Sequence, residues 1–162
     1  MGFYDQRILP HVLDCACGTG PIMKQRQKVV PLASGVVLEI GIGTGRNLPY
    51  YDPAKVERLI GLDPSERSWA LARERAAHVD FAVEFIGLPG EQIPLADASV
   101  DTVLITYALC TIPDPVAALQ GMGRVLRPGG KLIFCEHGRA PDPAVCKWQD
   151  RLNDFWKSVL GG

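Results

Sequence analysis

The chain has 162 residues, a formal net charge of −1, and 22% charged against 47% hydrophobic residues. That is enough chain for one domain with a real core, and the balanced charge excludes an overall basic nucleic-acid footprint. No apolar run reaches the roughly 18 residues of a membrane span, no basic start followed by an apolar stretch marks a secretory leader, and an odd set of cysteines (Cys15, Cys17, Cys110, Cys135, Cys146) reads as reduced thiols in a cytoplasmic protein.

Residues 1–34 read as an N-terminal helical cap on a domain over residues 35–162. Phe3, Tyr4, Ile8, Leu9, Val12 and Leu13 recur at helical spacing around Pro10. A loop at Gly18-Thr19-Gly20-Pro21 follows, then a helix over 22–30 carrying Lys24, Arg26 and Lys28. That basic stretch reads as a solvated face, with contact to a membrane surface as the alternative. Cys15 and Cys17 have no second Cys/His pair at zinc spacing, so no metal site is expected.

From Val36 onward, strands and helices alternate. Short apolar runs over 36–40, 58–63, 81–86, 101–106 and 131–136 read as strands. Ser65 caps a helix over 66–77 that points Trp69, Leu71 and Ala72 inward. Asp114-Pro115 opens a helix to about Leu126, with proline at a tolerated first-turn position. Pro128-Gly129-Gly130 reads as a turn, and a last helix runs over 144–160. The pattern predicts an α/β fold, a doubly wound Rossmann-like parallel sheet with five strands, whose ligands sit at the carboxyl ends of the strands.

Two segments compete for a ligand-binding glycine turn. Leu13-Asp14-Cys15-Ala16-Cys17-Gly18-Thr19-Gly20 follows Ile8-Leu9-Pro10-His11, a poor buried strand because proline gives no ladder donor. Glu39-Ile40-Gly41-Ile42-Gly43-Thr44-Gly45 follows a good one and keeps Asp63 in order after it, so the first segment is read as a loop of the cap. Gly41, Gly43 and Gly45 let the backbone turn sharply and approach a ligand. Nicotinamide dinucleotides need a glycine three places after the second, where this chain has Arg46, which disfavours an oxidoreductase. Asp63, at the end of the second strand, is placed to accept both hydroxyls of a ribose, each bond contributing about 1.5–3 kcal/mol.

Taken in order, Val37-Leu38-Glu39-Ile40-Gly41-Ile42-Gly43-Thr44-Gly45, Ile60-Gly61-Leu62-Asp63, Leu95-Ala96-Asp97-Ala98-Ser99-Val100-Asp101 and Arg124-Val125-Leu126-Arg127-Pro128-Gly129-Gly130 resemble the class I S-adenosylmethionine-dependent methyltransferases. Gly45-x-Asn47-Leu48-Pro49, Leu109-Cys110-Thr111-Ile112-Pro113-Asp114 and Phe134-Cys135-Glu136-His137 resemble the subgroup with alkyl-thiol methyltransferases and bacterial relatives labelled phospholipid N-methyltransferases. The resemblance implies S-adenosylmethionine as cofactor and S-adenosylhomocysteine as product. It implies that Glu39, Gly41, Gly43 and Gly45 face the methionine end, with Asn47 of the subgroup motif also among the cofactor-binding residues. Asp63 would hold the ribose, Pro64 and Ser65 would line the adenosine, and Thr106, Tyr107 and Ala108 would border the sulfonium. Many relatives place an Asp where this chain has Pro89, so backbone groups of Gly90 and Glu91 are expected at the adenine.

Methyl transfer from a sulfonium needs mainly positioning, with a base only where the acceptor carries a proton. His137 and Tyr107 are the catalytic candidates, His137 as the base and Tyr107 more as a cofactor-packing ring. Cys110 reads as a small buried hydrophobe, and Trp148, Phe155 and Trp156 as packing or as the rim of an apolar entrance. The expected acceptor is a small, apolar thiol or amine. The resemblance also implies two further strands, an antiparallel hairpin that no segment here supplies. An inactive, cofactor-binding remnant is therefore the alternative, and either a homo-oligomer covering the open sheet edge or marginal stability is expected.

Overall fold

The computed structural model describes residues 19–160, with side chains as far as Leu152. The expectations for Phe3 through Cys17 and for the side chains of Phe155 and Trp156 lie outside the described residues. Helix α1 (Gly20–Val29) leads through a 3-10 turn (Val30–Leu32) into strand β1 (Gly35–Ile40). Then come β2 (Val56–Leu62), α2 (Glu66–Ala76), β3 (Ala82–Ile86), β4 (Val100–Thr106), α3 (Pro115–Val125), β5 (Leu126–Cys135) and α4 (Pro143–Leu160).

The five strands form one parallel sheet in the order β3-β2-β1-β4-β5. This is the doubly wound arrangement that the alternating pattern predicts. The central strands of the sheet are covered on both faces, so they carry nearly unbroken apolar runs. One core packs Leu38, Ile40, Ile60, Val103 and Ile105 against Ala118, Met122 and Val125 of α3. The spacing of those three helix positions places them on one stripe. The other core packs Val37, Leu59 and Leu104 with Val30, Ile42, Leu48 and Tyr51, flanked by Trp69 of α2.

Both packed helices are capped by short polar side chains. Ser65 accepts the amide of Ser68 at 3.2 Å and Asp114 accepts that of Ala117 at 2.9 Å, each cap contributing about 1 kcal/mol. On α2 the inward residue is Ala72, with Trp69 half-buried and stacked on Phe85 at 4.7 Å. Leu71, expected inside, is exposed: it lies about 200° around the helix from Trp69, on the solvent side.

Pro128-Gly129-Gly130 is not a turn before the last strand. β5 already pairs at Leu126 with Val100, and pairing resumes at Lys131 with Thr102. Residues 127–130 bulge opposite Asp101, with Gly129 at φ +81°. Asp101 ties this bulge to the sheet by accepting Arg127 Nη1 at 2.6 Å and the amide of Val36 on β1 at 2.8 Å. Among the described residues, no helix is long and apolar enough to cross a membrane.

Candidate active site at the carboxyl ends of the strands

A cavity of about 420 Å³ opens at the carboxyl ends of β1, β2 and β4. It sits where the strand order reverses between β1 and β4. The turn after β1 supplies Gly41, Gly43, Thr44 and Arg46, and the end of β2 supplies Asp63, Pro64 and Ser65. The loop after β3 adds Pro89, Gly90 and Glu91, and the end of β4 adds Thr106, Tyr107 and Ala108, with Ile112 beyond them. Arg26 reaches in from α1.

The glycine turn serves two purposes. Gly43 has φ +51°, and a Cβ there would have only Gly41 O and Asp63 Oδ2 nearby, at 3.9 and 4.0 Å. Space is open at Gly43, as a ligand approach requires. Gly45 has φ +74° and is buried; a Cβ there would stand 2.6 Å from Leu48 Cδ1 and 3.0 Å from Ala72 Cβ of α2. The close packing against a helix is therefore made at Gly45, and Arg46 is left to line the cavity.

Asp63 faces this turn. Its Oδ2 accepts the amide of Gly43 at 2.9 Å and its Oδ1 accepts that of Ser65 at 2.8 Å. Burial pushes the carboxyl above its ordinary range, and the two amide bonds pull against that shift. Each carboxylate oxygen keeps a free lone pair for a ligand hydroxyl.

Glu39, Asn47 and Gly45 do not line the cavity. They are buried behind it. Glu39 accepts Asn47 Nδ2 through Oε1 at 2.9 Å and the Tyr51 hydroxyl through Oε2 at 2.7 Å. Desolvation pushes its carboxyl up to about 7, opposed by those two hydrogen bonds and by the charge of Arg26. Asn47 Nδ2 also donates to Thr106 Oγ1 at 2.9 Å. Arg26 Nη1 donates to Asn47 Oδ1 at 2.8 Å and to Thr106 Oγ1 at 2.6 Å. One buried network thus joins α1, the glycine turn and the ends of β1 and β4.

Tyr107 has φ +54°, strained for a residue with a side chain. Its ring lies under the Arg26 guanidinium at 5.1 Å and against His137 at 4.9 Å. Burial, then the hydrogen bond between its hydroxyl and Cys135 Sγ at 3.4 Å, push the phenol up to about 12. His137 is exposed and does not itself line the cavity. Cys110, expected buried, is exposed because the 3-10 turn Leu109–Thr111 carries it outward. Trp148 is likewise exposed on α4 rather than packed. Glu136 Oε1 pins the loop after β4 by accepting the amides of Ala108 and Leu109 at 3.0 and 3.1 Å.

The structure adds Arg26, Tyr51 and Glu136 to the residues singled out from sequence. For Arg26 a signal existed: Ile22, Arg26, Val29 and Val30 share one helical stripe, so this arginine sits on the apolar face. Lys24 and Lys28 are solvated, as expected of the basic stretch as a whole. Tyr51 and Glu136 act through contacts at long range in sequence, which no local pattern announces.

A family model described as a methyltransferase domain matches residues 38–134. Human thiol S-methyltransferase TMT1B is 38% identical over 137 residues, covering 80% of this chain and 55% of that protein. Among solved structures, the Bacillus subtilis YcgJ protein superposes with a TM-score of 0.64 at 26% identity, over 83% of this chain and 56% of that one. A SAM-dependent methyltransferase of Thermotoga maritima gives 0.61 at 29% identity, over 82% and 59%. The chain spans about half the length of the curated thiol methyltransferases it matches.

Proposed function

The chain belongs to the class I S-adenosylmethionine-dependent methyltransferase family, and from that premise we propose that it methylates the sulfur of a small, largely apolar thiol. One observation carries the cofactor side of this reading. Among the described residues, the only two buried side-chain atoms without a hydrogen-bond partner are Arg26 Nε and Glu91 Oε2, and both residues line the same cavity. Orphaned buried polar atoms are costly unless a ligand or water completes them.

A cationic donor, an acceptor pair at Asp63 and a second acceptor at Glu91 fit a nucleoside that bears an amino acid. The residues therefore fit the family's cofactor. When bound, S-adenosylmethionine supplies a methyl already activated on a sulfonium, and S-adenosylhomocysteine is left after transfer. Asp63 holds the ribose hydroxyls, Pro64 and Ser65 border the nucleoside, and Gly43 leaves room for its approach. Glu91 takes the adenine amine with its side chain, in place of the backbone contact expected from sequence. Glu39 and Asn47 hold the turn and Thr106 in place from behind.

For the acceptor, Tyr107, Ala108, Ile112 and Pro113 give a largely apolar wall. A small thiol suits it, and the similarity to proteins named thiol S-methyltransferases supports that choice over an amine. The acceptor sulfur would form a bond to the methyl carbon as that carbon leaves the cofactor sulfur, and would give up its proton; His137, against the Tyr107 ring but outside the cavity lining, is the imidazole next to that wall. The phenol of Tyr107, pushed up to about 12, stays protonated at neutral pH and positions rather than deprotonates.

The test is a calorimetric titration of S-adenosylmethionine and S-adenosylhomocysteine, followed by mass-detected methyl transfer to matched thiols and amines. Micromolar binding with transfer to thiols is expected. Failure of the wild type to bind either cofactor form overturns the reading.

A further inference from the structure

Among the described residues, Arg26 is a buried cation whose hydrogen-bonding capacity is incompletely used. It is 6% exposed and central on the apolar face of α1. Its hydrogen bonds among the described residues go from Nη1 to two neutral acceptors, Asn47 Oδ1 and Thr106 Oγ1. Glu39 feels its charge but is hydrogen-bonded to it only through Asn47, and each oxygen of Glu39 already accepts a hydrogen bond. Among the described residues Nε has no partner. A buried guanidinium whose direct hydrogen bonds go to neutral groups keeps its charge, and an anion in direct contact would offset its desolvation.

Resting on the cofactor reading above, we propose that Arg26 binds the carboxylate of the cofactor's amino-acid end and makes the site reject nucleosides that lack it. Position supports this assignment. Asp63 ends β2, while Arg26 bonds to Thr106 at the end of β4 and covers Tyr107. β1 and its glycine turn lie between these two strands. Two strand spacings put the ribose end and the arginine end about 10 Å apart across that turn. A nucleoside held at Asp63 therefore projects its 5′ substituent over the glycines toward Arg26. The planar guanidinium presents Nε and Nη2 as one edge, away from the Nη1 bonded to Asn47 and Thr106, and that edge matches a carboxylate. A small apolar acceptor offers it nothing.

The arginine is preset for this contact. Asn47 and Thr106 hold Nη1 from two directions, and the Tyr107 ring lies against the guanidinium. α1 thereby becomes part of the cofactor site.

The experiment is calorimetric titration of S-adenosylhomocysteine and of 5′-methylthioadenosine, the thioether lacking the amino acid, into the wild type and into Arg26→Gln, Arg26→Lys and Arg46→Gln. The wild type is expected to prefer S-adenosylhomocysteine by about tenfold or more. Arg26→Gln should lose that preference by weakening only the amino-acid ligand, with 5′-methylthioadenosine binding unchanged. Arg26→Lys should recover part of the preference, and Arg46→Gln should keep it. Equal loss for both ligands in Arg26→Gln, or a preference that depends on Arg46 instead, overturns the proposal. Should the Arg26 variants not fold, the wild type is titrated with decarboxylated S-adenosylhomocysteine, and undiminished affinity for it is equally fatal. If the wild type binds none of these ligands, the cofactor reading itself fails, a result distinct from failure of the Arg26 assignment.

Discussion

Asp63 at the end of β2 accepts the amide of Gly43, two residues into the turn after β1, at 2.9 Å. This bond locks the glycine turn to the residue proposed to receive the ribose, so backbone shape and carboxylate position are set together. On that proposal, Asp63→Ala removes the acceptor for both ribose hydroxyls, and it leaves the amide of Gly43 unpaired. Its affinity for S-adenosylhomocysteine should fall by about 10- to 100-fold, since each hydrogen bond to a charged group contributes about 1.5–3 kcal/mol. Asp63→Asn, which keeps one acceptor oxygen, should fall between the two. Calorimetry with unchanged affinity in Asp63→Ala would remove Asp63 from the cofactor site.

Glu39 gives the fold a pH dependence of defined sign. Its folded-state carboxyl is pushed up to about 7 from 4.5. As pH rises between those values, the unfolded chain releases this proton while the folded chain retains it. The stability contributed by Glu39 is therefore full below 4.5, falls through the window up to about 7, and is flat above it. The amplitude is on the order of 3 kcal/mol. Glu39→Gln, an uncharged mimic of the protonated acid, should flatten this component. Thermal melts of both proteins from about pH 4 to pH 8 measure it, and a difference that stays constant across the window would count against the burial assignment.

The sheet was legible because buried parallel strands leave a local signature. The apolar runs at Val37-Leu38-Glu39-Ile40 and Val103-Leu104-Ile105 could only be covered on both faces, and they are. The position of the glycine turn and Asp63 at the cavity was legible for a related reason: residues at a strand's carboxyl end follow from where the strand stops. The roles of Glu39, Gly45 and Asn47 were not. Sequence places them beside the turn but cannot say which side of it a side chain takes, and all three pack behind. Arg26 was hidden by its neighbours, because two solvated lysines made the whole stretch read as basic. β5 misled through Pro128-Gly129-Gly130, whose turn chemistry is spent on a bulge inside the strand.

His137 should matter most where the acceptor thiol is still protonated. A cysteine-like thiol titrates at about 8.5, so for such an acceptor a base helps near neutral pH and becomes unnecessary above that value. His137→Asn is expected to lower kcat for a thiol by about tenfold or more near pH 7 and to approach the wild type near pH 9.5. Its KM for S-adenosylmethionine should not move, since His137 does not line the cavity. A pH-independent loss would instead mark His137 as a support for the Tyr107 ring.

The β5 edge carries the next expectation. Among the described residues β5 pairs only with β4, and it exposes Phe134 at 68% and Leu132 at 40% on one face. An unpaired apolar edge is a template for association. Sedimentation should show concentration-dependent self-association that Phe134→Lys suppresses. A monomer at every concentration would show that the edge is protected by other means.

Glu91 separates the two ways the adenine end can be held. Its Oε1 is occupied by the amide of Asp114 at 3.1 Å, while Oε2 is buried, partnerless and at the cavity. A carboxylate oxygen there accepts from an amine but repels a carbonyl. The wild type should therefore favour S-adenosylhomocysteine over its hypoxanthine analogue, whose base carries oxygen in place of the amine, by about tenfold or more. Glu91→Gln keeps an acceptor for Asp114 and offers an amide N–H toward the base, so the preference should shrink or reverse. If the backbone of Gly90 and Glu91 holds the base instead, the substitution leaves the preference intact, and competition binding with the two ligands distinguishes these outcomes.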